Sequence, residues 1–92
     1  MKKFRIFSAN YCSYCKQAIM TLTYKGAHYE VFDVSHNEVA RMLLAERTGS
    51  TTVPQIFFGD RIIGGCSDLL AMDESGELDT LIRGEDDATG ID

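Results

Sequence analysis

The chain has 92 residues, of which 45% are apolar and 25% charged, with a single proline. This length suits one domain, and the composition excludes a disordered, a collagen-like and a disulfide-stapled protein. The net charge of -5 is unevenly placed, because every acidic residue lies at or beyond Glu30 while five of the nine basic ones precede it. Positive potential is therefore expected around the N-terminal third, whereas an acidic chain without a basic run argues against nucleic acid as a partner.

The sequence offers no membrane or export signal. Its longest apolar runs fall far short of the ~18 residues that cross a bilayer, and Lys2 and Lys3 lead into no apolar segment. Three cysteines are an odd and sparse set, unlike the disulfide framework of a secreted mini-protein. We therefore expect a protein of a reducing compartment with no membrane partner. The cytoplasm is the prediction, and an organelle reached by a cleaved presequence is the alternative.

Hydrophobic periodicity predicts a strand, a helix and a second strand in the first third of the chain. Apolar residues alternate over 3–8, and they recur at three- and four-residue spacing over Ser13–Lys25, before Gly26. The run Tyr29–Val34 is rich in aromatic and β-branched residues, which favour a strand. Because a helix connects the two strands, they are predicted to be parallel, with a right-handed crossover.

The middle of the chain predicts a helix followed by a hairpin. Ser35 and Glu38 form a capping-box pattern that opens a helix reaching Gly49. The apolar positions of this helix are Val39, Met42 and Leu43. Strands are predicted over 55–58 and 61–63, and the two-residue glycine turn between them makes them antiparallel.

The last part of the chain predicts two short helices and a tail. Ser67 is the predicted N-cap of a helix that starts at Asp68, and the spacing of Leu78 and Leu81 indicates one more helix. The domain is expected to span 1–84, with an acidic disordered tail over 85–92. The order β-α-β-α-β-β-α-α predicts an α/β fold, a four-stranded mixed sheet flanked by helices.

A C-x-x-C pair opens the first predicted helix. Unsatisfied N–H groups and the helix dipole favour an anion there, so Cys12 is predicted to attack as a thiolate. Cys15 lies on the same helical face within bridging reach and is predicted to resolve the product. The alternatives are a pair of inert core cysteines and a zinc site, but Cys66, His28 and His36 supply no second close ligand pair.

Two further segments are less specific taken alone. Base rates favour a trans Val53-Pro54 bond, since only about 5–6% of X-Pro bonds are cis. The turn Gly64–Asp68 fits two interpretations equally well, a carboxylate site at a helix N-terminus and a plain turn capped by Ser67.

Three segments together resemble the glutaredoxin family: the cysteine pair after the first strand, Thr52–Pro54 before the third, and Gly64–Asp68 after the fourth. The resemblance covers roughly residues 4–83 and implies a thioredoxin-like fold with glutathione as co-substrate. It also implies reduction of protein disulfides and of protein–glutathione mixed disulfides. Cys12 would attack, and either Cys15 or a second glutathione would resolve the mixed disulfide.

The same resemblance implies a glutathione site. Pro54 would be a cis proline, the backbone of Val53 would pair with the cysteinyl residue of glutathione, and Tyr14 would flank its sulfur. The γ-glutamyl carboxylate would meet Cys66–Ser67, with Asp68 near its ammonium group. The implied glutathione-binding residues are Tyr14, Arg41, Thr52, Val53, Pro54, Gly65, Cys66, Ser67 and Asp68.

Two departures from the family pattern bear on that site. Many glutaredoxins have a lysine for the glycyl carboxylate where this chain has Ala9, which leaves Arg41 and Lys16 as replacement candidates. Ser13 stands where the commonest motif has proline, as in members that hold a 2Fe-2S cluster between two subunits. In such a dimer Cys12 and the glutathione thiol of each half would be the ligands. The alternatives to a monomeric oxidoreductase are thus a cluster-carrying dimer and an interaction domain that keeps only the fold.

Overall fold

The structure, a computed structural model, describes residues 2–84, so the predicted tail over 85–92 lies outside the described residues. In chain order the elements are β1 (Phe4–Ser8), α1 (Ser13–Tyr24), β2 (Tyr29–Asp33), α2 (Glu38–Thr48), β3 (Gln55–Phe58), β4 (Arg61–Gly64), α3 (Cys66–Ser75) and α4 (Glu77–Arg83). This is the predicted order, and the strand boundaries lie within one residue of the prediction. None of the helices in this described part is long and apolar enough to cross a membrane.

The four strands form one mixed sheet in the order β2-β1-β3-β4. β1 is parallel to β2, because α1 carries the chain from one end of the sheet back to the other. β3 runs antiparallel to both β1 and β4, and a register shift occurs between Ile56 and Phe57. This order places the carboxyl end of β1, where the cysteine pair begins, beside the start of β3 and its preceding proline.

The core lies on one face of the sheet, under α1, α3 and α4. The register sets Phe4 beside Phe58 and Ile6 beside Ile56, and all four side chains are buried. Beside the core, the ammonium group of Lys25 lies 2.9 Å from a carboxylate oxygen of Asp73 and of Asp79. The buried cluster consists of Phe4, Ile6, Ala18, Leu22, Ile56, Phe58, Cys66, Leu69, Leu78 and Leu81.

Helix α2 lies over the opposite face of the sheet. There Phe7 stacks on Phe32, with ring centroids 5.1 Å apart, and meets Phe57 edge-on at 5.6 Å. No residue of α2 is buried, and its apolar positions Val39 and Met42 are each 68% exposed. The helical spacing therefore predicted the helix correctly, although the apolar residues that created the spacing face solvent.

Two predicted helix caps are wrong. Asn37, not Ser35, caps α2, and its side-chain oxygen accepts from the Ala40 amide at 3.0 Å. The Ser35 hydroxyl is used elsewhere, because it accepts from the Asn10 amide at 2.8 Å and donates to a carboxylate of the β2 end. Helix α3 begins at Cys66 after Gly65, so the predicted cap Ser67 lies inside its first turn.

Candidate functional site

The loop between β1 and α1 presents the first cysteine of the pair. Ala9 is buried, and its carbonyl accepts from the Cys12 amide at 3.2 Å. The neighbouring Asn10 amide is held by Ser35 from the loop after β2. Cys12 is the N-cap of α1, with an extended backbone, so its side chain lies at the open end of the helix. The sequence prediction that this cysteine opens the helix is confirmed.

The Cys12 sulfur has two hydrogen-bond contacts. It accepts from the Cys15 amide at 3.2 Å, and its S–H donates to the carbonyl oxygen of Val53 at 3.6 Å. Cys12 is partly exposed, so a disulfide can approach its sulfur from solvent. A sulfur anion at this position would keep the Cys15 N–H as a donor and would lie at the positive end of the helix dipole.

Cys15 is buried, with 1% of its surface exposed. The pKa of its thiol is raised from 9.0 to about 11, first by burial and then by its side-chain hydrogen bond with Cys12. The pKa of the Cys66 thiol is also raised, by burial and by the charge of Cys12. Three thiols thus lie together, of which Cys12 alone is open to solvent.

The segment before β3 forms one side of the site. The Val53-Pro54 bond is cis, so the trans bond expected from base rates is wrong and the cis proline implied by the family resemblance is present. Gln55 is buried, and its side-chain amide donates to the carbonyl oxygen of Thr52 at 2.7 Å. This hydrogen bond fixes the segment Thr52–Pro54. The sequence analysis gave Gln55 no role, although a polar residue at the start of a buried strand is a signal that could have identified it.

The start of α3 forms the far side of the site. Gly65 has no side chain to cap the helix, and its own amide donates to the Asp68 carboxylate at 2.9 Å. Gly64 has φ +119, and a Cβ there would collide with the same carboxylate, so the turn requires glycine. The first-turn amides of α3 are therefore left to an external acceptor, as at other helix N-termini that bind anions.

These segments enclose one groove of about 460 Å³ beside the cysteine pair. Its lining residues are Tyr14, Thr52, Val53, Pro54, Gly65, Cys66 and Ser67. Seven of the nine predicted glutathione-binding residues therefore lie together. The other two are Asp68, whose carboxylate is bonded to the Gly65 amide behind the groove, and Arg41 on α2.

Arg41 lies beyond the Thr52 end of the groove. Its guanidinium donates to the Tyr11 hydroxyl at 2.6 Å and to the Thr51 carbonyl oxygen at 3.3 Å. Lys16, the other predicted cation, lines a separate groove on the outer face of α1 together with Met20. Tyr11 was not predictable as a site residue, because its partner lies thirty positions away and no local pattern links the two.

The described part of the chain, residues 2–84, contains no group of three or more His, Cys, Asp or Glu side chains that could hold a metal ion. Any metal held at Cys12 would need further ligands from outside these residues.

Comparison with known proteins identifies the same family as the three sequence segments. A family model for glutaredoxin matches residues 4–63. Glutaredoxin 3 of Escherichia coli K12 is 39% identical to this chain over 83 residues, which cover 90% of this chain and 100% of that protein.

Solved structures with the same fold are also glutaredoxins. The buckwheat glutaredoxin–glutathione complex matches with a TM-score of 0.84 at 27% identity, over 89% of this chain and 77% of that one. The holo form of glutaredoxin C1 from Populus tremula x tremuloides matches with a TM-score of 0.84 at 34% identity, over the same shares of 89% and 77%. The thioredoxin-like fold implied by the three sequence segments is confirmed.

Proposed function

The chain belongs to the glutaredoxin family of thiol–disulfide oxidoreductases, and we propose that it uses glutathione to reduce protein disulfides and protein–glutathione mixed disulfides. One observation carries the proposal: the accessible sulfur of Cys12 lies beside a groove that ends at the uncapped start of α3. A nucleophilic sulfur and an anion site, joined by a groove that the segment Thr52–Pro54 lines, match a small acidic peptide that carries its own thiol.

The reaction begins when the Cys12 thiolate attacks one sulfur of the substrate disulfide. A new S–S bond forms as the old one breaks, and the bonding electron pair leaves on the other sulfur, which takes a proton from water. With a protein disulfide, Cys15 then attacks the Cys12 sulfur and the second protein thiol leaves. Two glutathione molecules in turn reduce the resulting Cys12–Cys15 disulfide and leave as glutathione disulfide. With a glutathionylated protein, Cys12 retains the glutathione, and a second glutathione releases it as glutathione disulfide.

The groove supports glutathione as the electron donor. The backbone of Val53 lies beside Cys12 and can pair with the cysteinyl residue, while the first-turn amides of α3 at Cys66 and Ser67 suit the γ-glutamyl carboxylate. Tyr14 is 64% exposed at the edge of the groove and can cover the sulfur. The buckwheat relative was solved as a complex with glutathione.

The test is a coupled assay with glutathione and glutathione reductase, run on a small glutathione mixed disulfide and on a protein disulfide. We expect Cys12→Ser to lose turnover on both substrates, because no other described thiol is accessible. Cys15→Ser should keep activity on the mixed disulfide and lose most activity on the protein disulfide. Activity retained by Cys12→Ser, with its fold verified by circular dichroism, would refute the assignment.

A glutathione-bridged dimer that carries a 2Fe-2S cluster is the alternative, favoured by Ser13 in place of proline in the cysteine motif. Cys12, open to solvent, would supply one thiolate per chain and bound glutathione the other; the cluster would serve electron transfer or be cargo. Anaerobic reconstitution with iron, sulfide and glutathione distinguishes the two. A coloured dimer supports the alternative, and a colourless monomer supports a monomeric oxidoreductase. For such an oxidoreductase we propose a reducing compartment such as the cytoplasm.

A further inference from the structure

Tyr11 is exposed but held in place at the glycyl end of the proposed glutathione groove. Tyr11 is 65% exposed, yet its hydroxyl oxygen accepts from Arg41 at 2.6 Å. The same guanidinium donates to Thr51, the residue before the groove-lining Thr52. The hydroxyl of Tyr11, the residue directly before the nucleophilic Cys12, therefore has a defined position.

The proton of this hydroxyl is available to a ligand. A guanidinium only donates hydrogen bonds, so the Tyr11 oxygen must accept from Arg41, and its own O–H must point to a different acceptor. Within residues 2–84 this O–H has no acceptor, and no carboxylate pairs with Arg41. A neutral O–H and a cationic guanidinium with free N–H groups, side by side, form a donor pair that suits a carboxylate.

The direction of the groove brings one particular carboxylate to this pair. A glutathione with its γ-glutamyl group at Ser67 and its cysteinyl residue along Val53 extends its glycine towards Thr52. Successive residues of an extended chain advance about 3.3–3.6 Å each, so one further residue reaches the neighbourhood of Thr51. The carbonyl oxygen of that residue is already bound to Arg41.

The usual cation for this carboxylate is absent. Ala9 is buried, with 3% of its surface exposed, and offers neither charge nor donor. Lys16 faces a groove on the outer side of α1 together with Met20 and Asp73. The Tyr11 hydroxyl and the Arg41 guanidinium are thus the donors that the fold offers a carboxylate at the Thr52 end of the groove.

We propose that Tyr11 is a glutathione-binding residue, whose hydroxyl donates to the glycyl carboxylate beside Arg41 and replaces part of what a lysine at position 9 would provide. This inference rests on the proposed function. Because the glycyl carboxylate lies away from the reacting sulfur, the hydroxyl would act on binding, raising affinity for the glutathionyl half of the substrate and leaving the chemical step unchanged.

The experiment compares the full chain with its Tyr11→Phe variant on a peptide–glutathione mixed disulfide, made with the glycyl carboxylate free or as its ethyl ester. Cys12 attacks the glutathione sulfur, and the peptide leaves as a thiol after taking a proton from water. Free glutathione, at one fixed concentration in every assay, then takes the glutathionyl group from Cys12 as a disulfide and restores the Cys12 thiol. The released peptide thiol is measured. On the free acid we expect Tyr11→Phe to raise KM about tenfold with kcat unchanged, as for loss of one hydrogen bond to a charged group. On the ester, the two proteins should agree within about twofold, since this hydroxyl then has no anion to bind.

Tyr24→Phe is the matched control, because Tyr24 is 90% exposed at the far end of α1, and it should behave as wild type on both substrates. An equal loss by Tyr11→Phe on acid and ester would show that Tyr11 acts only on the local structure, and no loss on either would show no role. Either result overturns the inference while leaving the proposed function intact. A wild-type protein that reacts with neither glutathione substrate would instead refute the proposed function, and this inference with it.

Discussion

The two cysteines of the motif differ in environment although only two residues separate them. Cys12 caps the helix and is open to solvent, whereas Cys15 is buried one turn later. Burial is the largest cause that raises the pKa of Cys15, and it remains in every state of the protein. The hydrogen bond and the charge of Cys12 raise this pKa further, and these two causes disappear when Cys12 enters a disulfide. Cys15 therefore holds its proton in the resting protein and loses it more readily in the mixed disulfide, when it is needed to attack.

The raised pKa of Cys15 makes stability depend on pH in the alkaline range. Below pH 9.0 the thiol is protonated in both the folded and the unfolded chain, and between 9.0 and about 11 the folded chain alone keeps the proton. The folded state then binds more protons, so the free energy of unfolding falls as pH rises, by at most about 1.4 kcal/mol per pH unit for one group. Urea titrations under reducing conditions at pH 8 to 11 measure this slope.

Cys15→Ala is the reference protein for that measurement. It lacks the thiol but keeps every tyrosine and lysine that titrates in the same range, so the difference between the two proteins isolates Cys15. The unfolding free energies should converge or cross as pH rises. Parallel profiles from pH 8 to 11 would mean that the folded environment does not hold the proton.

The role of a single residue was predictable from the sequence where that residue belongs to a local motif. The cysteine pair, the segment Thr52–Pro54 and the turn Gly64–Asp68 each keep their geometry within a few residues, and the structure brings them together. The contact of Tyr11 with Arg41 depends on how α2 is placed against the loop after β1. Neither hydrophobic periodicity nor motif spacing predicts how α2 is placed against that loop.

At the scale of elements, α2 is a helix with a defined cap at each end and no fully buried residue. Asn37 caps its start, and Gly49 ends it in the left-handed conformation, with φ 78. No α2 residue is buried, whereas α1 buries Cys15, Ala18 and Leu22. Local hydrogen bonds at its ends should therefore affect the stability of α2 more than they affect the helices of the core.

Loss of the Asn37 cap should open α2 without unfolding the protein. Asn37→Ala removes the acceptor of the Ala40 amide, at a cost of about 1 kcal/mol to the helix. Amides of α2 should then exchange with deuterium roughly fivefold faster, while amides of β1 keep their rates. Exchange followed residue by residue by NMR measures both.

Asn37→Ser retains a capping oxygen and should restore slow exchange in α2. The same acceleration in Asn37→Ser and Asn37→Ala would show that the cap does not hold this helix. The outcome also decides between Asn37 and Ser35 as the residue that caps α2. The capping-box pattern predicted Ser35, and the sequence could not show that Asn10 and the end of β2 use the Ser35 hydroxyl.

Strands and helices were predictable because their signals are local and repeat. Alternation over β1 and three- and four-residue spacing over α1 arise from burial on one face of each element, so the pattern and its cause coincide. Helix α2 shows the limit of this argument. Val39, Met42 and Leu43 have the spacing of a buried stripe, yet they are 68%, 68% and 60% exposed.

At the scale of the whole molecule, the sheet separates a packed side from an open one. Beneath it, α1, α3 and α4 bury the side chains of one core, and Lys25 bridges Asp73 and Asp79 beside it. Above it, three phenylalanines pack against one another on the sheet, and α2 and the sheet line an apolar groove that includes Leu43 and Phe57. Stability should therefore reside mainly on one side of the sheet.

One pair of identical substitutions tests this asymmetry. Leu22 on α1 is 0% exposed, and Leu43 on α2 is 60% exposed. Leu22→Ala leaves a cavity among packed side chains and should lower the free energy of unfolding by about 2–5 kcal/mol. Leu43→Ala removes the same atoms mostly from solvent and should change it by no more than about 0.5 kcal/mol. Denaturant titrations of the two variants beside wild type provide the measurement. A Leu43→Ala loss close to that of Leu22→Ala would mean that α2 packs on the sheet in solution and that both sides carry the stability of the fold.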